Sequence, residues 1–279
     1  MKIGILHPGE MGASVGAAAR AAGNAVSWAS AGRSDASRRR AEEAGLEDAG
    51  TMEALVAGSE IVVSVCPPEA ARSLAGSVID AGFTGIFVDA NAVSTETARS
   101  VAGIVEDAGA RSVDGGIIGP PVHQEGTTRL YLSGAEASTV ASAFKGGMLE
   151  ALIIGDRPGS ASALKMCYAA WTKGSAALLT AIRALAVVEG VEDALLEEWN
   201  ISQHGIEARS TAGARNNAFK AWRFAGEMQE IAATFEAAGL PGGFHQGAAD
   251  IYTRLAAYKD CDPPPELTEI IETLLDSGT

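Results

Sequence analysis

The residues best arranged for chemistry stand near the start of the chain, in His7-Pro8-Gly9-Glu10-Met11-Gly12. They follow a short apolar run, Ile3-Gly4-Ile5-Leu6, and precede a run of small residues through Gly16. A strand, a glycine turn and a helix in that order form a seat for a pyrophosphate. Gly9 lets the backbone approach the phosphates, and Gly12 lets helix and strand pack closely. The N–H groups from Gly9 to Gly12 then lie at the positive end of the helix. Pro8 has no N–H to give, so the cradle starts at Gly9. His7 takes the first glycine place of G-x-G-x-x-G. Glu10 must point to solvent, because a carboxylate beside a pyrophosphate is repulsive. An ordinary strand-to-helix turn would also account for this segment taken alone.

A second stretch narrows the ligand. In a dinucleotide-binding unit, an acid at the end of the second strand holds the ribose 2′-hydroxyl and repels a 2′-phosphate. Here that stretch reads Ser30-Ala31-Gly32-Arg33-Ser34, with no acid before Asp35. Arg33 can fork onto a phosphate and Ser34 can donate to it. Arg38, Arg39 and Arg40 add positive charge, although a solvated basic helix face would look the same. The pattern predicts NADP(H) rather than NAD. Ser64-Val65-Cys66-Pro67-Pro68 ends a third predicted strand, and strand carboxyl ends face the cofactor crevice. No base is paired with Cys66, so a small thiol lining the crevice is expected rather than a nucleophile. Four histidines, His7, His123, His204 and His245, are scattered without ligand spacing, so no metal is expected.

The elements that position these residues alternate through the first half of the chain. Strands are predicted at Ala25–Ser30, Glu60–Val65, Gly85–Asp89, Arg111–Ile118, Arg129–Ser133 and Ala151–Ile154, with Ala- and Glu-rich helical stretches between several of them. Such alternation implies a parallel sheet with helices on both faces, and the later strands are candidates for an antiparallel edge. The pattern changes at Gly155-Asp156-Arg157-Pro158-Gly159, beyond which no strand is predicted. One long helix is expected from Ser160 to about Glu189, apolar at Leu164, Tyr168, Trp171, Leu178, Leu179, Ile182 and Leu185. Further helices are expected at Asp193–Asn200, Asn217–Ala238, His245–Tyr258 and Glu266–Leu275. The fold class is therefore α/β plus all-α. An N-terminal doubly wound Rossmann domain spans residues 1–156, and an all-helical domain spans 157–279.

Composition sets the outer limits. A chain of 279 residues can bury a sizeable core. A net charge of −14 argues against nucleic acid or an anionic membrane as the main partner. Apolar stretches are broken by glycine or charge before reaching membrane-spanning length. Three cysteines give no disulfide framework, and no signal peptide is read before the first strand. A cytoplasmic enzyme acting on a small molecule is expected.

Taken in order, these pieces resemble the β-hydroxyacid dehydrogenase and 6-phosphogluconate dehydrogenase superfamily over nearly the whole chain. HPGEMG stands for its G-x-G-x-M-G, GRS follows the second strand and VCPP the third. Asp89-Ala90-Asn91-Ala92-Val93-Ser94 resembles its D-x-S-T segment. Asp114-Gly115-Gly116-Ile117-Ile118-Gly119 resembles its D-A-P-V-S-G substrate loop. Gly159 through Lys165 resembles the G-x-x-x-x-x-K that opens the interdomain helix. The segment KAWRFAGEMQEIAATFEAAGLP resembles a C-terminal domain of a poorly characterised branch. The resemblance implies that Lys165 is the general acid/base, and burial against an apolar helix would make its proton easier to release. It implies a substrate site at Asn91, whose amide can donate, and at Gly116, Ile117 and Ile118, with Tyr168, Trp222 and Arg223 added as candidates and Trp171 and His245 behind them. Asn91 is also counted with the cofactor residues, and it is the expected hydrogen-bond partner of Lys165 across the cleft. It also implies an intertwined homodimer.

The chain departs from the family pattern at several places. Tyr168 and Ala169 stand where Asn or His usually follows the lysine. Ile118 stands at the carboxylate-binding serine, and Asn91 at the D-x-S-T serine. A Lys-Asp pair falls on Gly226-Glu227. Three readings stay open: an NADP-dependent reductase or dehydrogenase of a hydroxyacid-like substrate, an imine reductase, and a non-catalytic NADP-binding protein. In that second branch the lysine place is generally held by another residue.

Overall fold

The computed structural model describes residues 1–259 and 261–276, and the chain falls into two compact units that divide after Met166. The first unit contains β1 (Lys2–Ile5), α1 (Glu10–Ala21), β2 (Ala25–Trp28), α2 (Asp35–Glu43), β3 (Glu47–Asp48), α3 (Met52–Ala57) and β4 (Ile61–Ser64). It continues with α4 (Ala71–Asp80), β5 (Ile86–Asp89), α5 (Thr95–Asp107), β6 (Arg111–Ile118), β7 (Arg129–Ser133), α6 (Ala137–Ser142), β8 (Glu150–Gly155) and the start of α7 (Ser160–Ala169).

The eight strands order as β3-β2-β1-β4-β5-β6-β7-β8. All neighbours from β3 to β6 pair in parallel, β7 runs antiparallel to β6, and β8 is parallel to β7. The chain order reverses between β1 and β4. That is the switch point at which doubly wound sheets open a crevice beyond their strand carboxyl ends.

Continuous apolar strands explain why both faces are covered. Ile3, Ile5 and Val63 face one layer with Val15, Ala18 and Ala19 of α1. Leu6, Val62 and Phe87 face the other, with Leu74 and Val78 of α4 and Val101 and Val105 of α5. Side chains at the N-cap position start α2, α3 and α5. Ser34, Thr51 and Ser94 accept from the backbone N–H of Ser37, Ala54 and Thr97 respectively. The two-residue strand β3 was not predicted; two residues carry no periodicity.

The second unit is helical. A π-helical turn, Ala170–Gly174, joins α7 to α8 (Ser175–Val188). Then follow α9 (Glu192–Ser202), α10 (Ile206–Ala218), α11 (Ala221–Ala237), α12 (Gly243–Arg254) and α13 (Leu267–Asp276). Its core holds Met228, Ile231, Tyr252, Leu255, Ile270 and Leu274. The long helix predicted from Ser160 is therefore continuous but carries a π turn. The helix predicted at Asn217–Ala238 is instead the end of α10 and all of α11, broken at Phe219–Lys220.

The two compact units divide inside α7, after Met166. The reason lies in the first turn of α7. The Ala161 and Ser162 N–H groups donate to Asp114 of β6, at 2.8 and 3.0 Å, so the helix start is tied to the sheet.

Candidate cofactor and acid–base site

At the end of β1 the chain turns at His7-Pro8-Gly9 and enters α1. The turn is too tight for any side chain at Gly12, where a Cβ would lie 1.9 Å from the His7 carbonyl oxygen. No side chain caps α1 at Gly9, and Glu10 is exposed, as the anion-seat reading requires. Met11 packs against the core. The first backbone donors of α1 are thus left for a ligand.

Two side chains beside this turn carry buried nitrogens that find no partner among the described residues, Nδ1 of His7 and Nε of Arg33. Burial, helped by the Arg33 charge, pushes the His7 imidazole down to about 4. A half-buried guanidinium with an unmatched N–H fits a bound phosphate group, and the imidazole can offer it a hydrogen in the tautomer protonated at Nδ1. Ser34 caps α2, and its hydroxyl lies 3.2 Å from that of Ser37. Arg38 donates from Nη2 to Ser30 O at 2.9 Å, a bond that braces the end of β2. Asp48, on the neighbouring β3, went unremarked in the sequence because it lies outside the Rossmann fingerprint. Its carboxyl is held below the usual range by Ser30 and by the Gly50 N–H, which donates at 2.8 Å.

The next strand ends supply the middle of the site. The Cys66 N–H donates to Oδ1 of Asn91 at 2.5 Å, and burial pushes the Cys66 thiol up to about 12. It is therefore a neutral thiol, not a nucleophile. Pro67 and Pro68 follow, with Pro68 buried at the head of a short turn before α4. Asn91 itself departs from expectation. Its two Nδ2 hydrogens go to Asp89 Oδ1 at 2.5 Å and Ser64 Oγ at 3.0 Å. The amide is a brace between the ends of β4 and β5, with no hydrogen left for a substrate or cofactor.

Lys165 stands on α7 with Nζ donating to the carbonyl oxygen of Ile117 at 2.7 Å. Asn91 was the expected partner; the β6 backbone supplies this acceptor. Because β6 is parallel to β5, Ile117 lies at the same carboxyl edge of the sheet as the glycine turn, Cys66 and Asn91. The expected substrate-loop residues also have other work. The Ile117 side chain packs in the core, Ile118 is buried, and a Cβ at Gly116 would lie 2.6 Å from the Ala161 carbonyl oxygen. Gly116 is thus where α7 crosses closely over β6.

Sequence reasoning missed the Asp114 carboxylate, although it opens the quoted D-G-G-I-I-G segment. Its partners Ser133 and Ser162 carry no sequence signal at all.

The remaining candidates lie in the second unit. Tyr168 is 46% exposed and Trp222 40%, with the Lys259 ammonium 4.4 Å above the Trp222 ring. Arg223 Nε is 3.4 Å from Glu227 Oε1, and Glu227 is buried in an ion pair with Lys173. Tyr252 donates to the Lys173 carbonyl at 2.8 Å. Buried His245 packs on Phe235 and Phe244, and burial lowers its pKa. Among the described residues no group of three or more His, Cys, Asp or Glu could hold a metal.

Residues 2–145 match the NAD binding domain of 6-phosphogluconate dehydrogenase, and residues 186–255 match a domain of unknown function, DUF1932. No curated protein matches the sequence. A conserved hypothetical protein from Sinorhizobium meliloti is similar at 24% identity and TM-score 0.71, covering 99% of this chain and 96% of that one. Mycobacterium tuberculosis 3-hydroxyisobutyrate dehydrogenase, solved with L-serine, is 20% identical at TM-score 0.71, with 98% of each chain covered. A Streptomyces aurantiacus imine reductase is 19% identical at TM-score 0.54, covering 98% of this chain and 99% of that one. With the glycine turn, the strand order and the family match in agreement, the chain belongs to the family of the NAD binding domain of 6-phosphogluconate dehydrogenase.

Proposed function

We propose that this protein is an NADP-dependent oxidoreductase that transfers a hydride between nicotinamide and a small hydroxyacid or carbonyl-type substrate. The observation that carries the reading is Lys165, held by Ile117 O at 2.7 Å on the carboxyl edge of the sheet. The glycine turn from His7 to Gly12 would hold the pyrophosphate. Arg33 and Ser34 would hold a 2′-phosphate, and Cys66-Pro67-Pro68 would flank the ribose and nicotinamide. The bound cofactor supplies or accepts the hydride. As hydride reaches a carbonyl carbon, negative charge builds on its oxygen, and the Lys165 ammonium gives that oxygen a proton. In oxidation the neutral amine takes it back. Ile117 O orients Nζ in either direction.

A homodimer formed through the helical unit belongs to this reading, on the exposure of Trp171, Leu178, Leu185 and Val188. So does a cytoplasmic location, on three unpaired cysteines.

The test is a substrate panel of carbonyl acids, neutral ketones and cyclic imines, read as absorbance of NADPH and, in parallel, NADH. Turnover of carbonyl acids with NADPH is expected. Replacing Lys165 by Met should lower it by about 10²–10⁴, the usual worth of a general acid or base. Turnover of imines alone, with Lys165→Met active, would instead favour C=N reduction, for which exposed Tyr168 is the available donor. NADPH binding without any turnover would leave a cofactor-binding protein.

A further inference from the structure

The geometry points to Asp114 as the positioning residue for Lys165, a role that rests on the acid/base reading of that lysine. Asp114 is buried on β6. Its Oδ2 accepts from the Ala161 N–H at 2.8 Å, the Ser162 N–H at 3.0 Å and the Ser133 hydroxyl at 2.9 Å. Its Oδ1 accepts from the Ser162 hydroxyl at 2.5 Å. The Ser133 hydroxyl also accepts from the Ala161 N–H at 3.2 Å. Two of these four donors are orphan N–H groups of the first turn of α7, so the carboxylate caps the helix from another strand.

Lys165 lies one turn further on, on the same face as Ala161. There β6 meets it again. The position of a Gly116 Cβ would be 3.2 Å from Lys165 Cβ, and Ile117 O accepts from Nζ. One strand therefore fixes the helix at Asp114, admits it at Gly116 and orients the amine at Ile117. A charged cap is needed because a buried carboxylate accepting four hydrogen bonds has one satisfied geometry, whereas a hydrophobic contact would let the helix slide. The placement of Nζ is set by Asp114, which touches neither substrate nor cofactor.

Four variants test this in the whole chain: Asp114→Asn, Gly116→Ala, Ser162→Ala and Ser162→Thr. Three readouts are needed. The first is NADPH affinity by calorimetry. The second is the pH dependence of Lys165 acetylation by acetic anhydride, followed by mass spectrometry on the NADPH-loaded protein. The third is kcat and KM with a substrate found by the panel. Asp114→Asn should leave NADPH affinity as in the parent and move the Lys165 acetylation profile along the pH axis. It should lower kcat by about 10–10²-fold, the cost of misplacing a reacting group by up to about 1 Å, with KM little changed. Gly116→Ala, which pushes the same turn away, should move the profile too. Ser162→Thr, which keeps the hydroxyl, should stay near the parent where Ser162→Ala does not.

A folded Asp114→Asn protein with the parent acetylation profile and kcat would overturn the proposal. If that variant does not fold, Ser162→Ala decides by the same readouts, since it removes one of the four bonds. Failure of the acid/base reading looks different. Lys165→Met would keep full turnover, while the acetylation profile would still respond, or not, to Asp114.

Discussion

At the residue scale, the cofactor end of the site turns on two buried nitrogens without hydrogen-bond partners among the described residues, Nδ1 of His7 and Nε of Arg33. If Arg33 meets a 2′-phosphate, Arg33→Ala should weaken NADPH binding by about 1.5–3 kcal/mol, the range for hydrogen bonds to charged groups. NADH affinity should barely change, and calorimetry with both cofactors checks this; equal affinity in the parent would refute the NADP assignment. His7 makes a separate prediction about stability. Its folded value is lowered from 6.5 to about 4, chiefly by burial. The unfolded chain therefore takes up a proton that the folded one refuses. The stability this contributes is full above pH 6.5, falls as pH drops toward 4, and levels off below it. Because the imidazole is partly exposed, the loss should not exceed about 2 kcal/mol, below the full conversion at 1.36 kcal/mol per unit. Denaturant midpoints across that pH range should show the slope in the parent and lose it in His7→Gln.

At the element scale, the β1–α1 turn is rigid because backbone meets backbone. Gly12→Ala puts a methyl 1.9 Å from the His7 carbonyl oxygen, and no rotamer relieves that. The variant should lose about 1–3 kcal/mol by overpacking and lose NADPH binding with it; thermal melts with and without NADPH separate the two effects. This turn was legible in the sequence because its glycines answer a local demand. So were β6 and β7, whose predicted limits match those found, since their apolar runs end at glycine or serine. What was not legible was set by contacts far apart in the chain. Asn91 was read as a donor to substrate, yet Ser64, Cys66 and Asp89 engage its amide from two strand ends. Lys165 was read as meeting Asn91, but its carbonyl acceptor at Ile117 carries no side-chain signature. Helix α10 was missed because its sequence, IEARSTAGARNNA, is polar and buries only Ser210, Ala214 and Ala218.

At the scale of the whole molecule, the run from α7 through α8 raises a question of burial. Trp171, Leu178 and Leu185 recur every seven residues, and Val188 follows one turn on; all are exposed, at 62, 44, 60 and 58%. A row of large apolar side chains open to water along one helix marks an interaction surface. Ala181 lies between Leu178 and Leu185, and a small residue there lets a second helix approach. A second copy of this chain satisfies the same row twice, since a two-fold interface uses one patch on both subunits. The protein should therefore run as a dimer by light scattering at micromolar concentration. Leu178→Glu and Leu185→Glu should leave the monomer folded, because both side chains are already half exposed or more. Each should weaken association by about 3–5 kcal/mol, the cost of an uncompensated charge at a buried contact. Far-UV circular dichroism unchanged beside a halved mass is the expected outcome. A parent protein that is already monomeric would remove the dimer from this reading without touching Lys165, whose Ile117 acceptor lies within the same unit of the same chain.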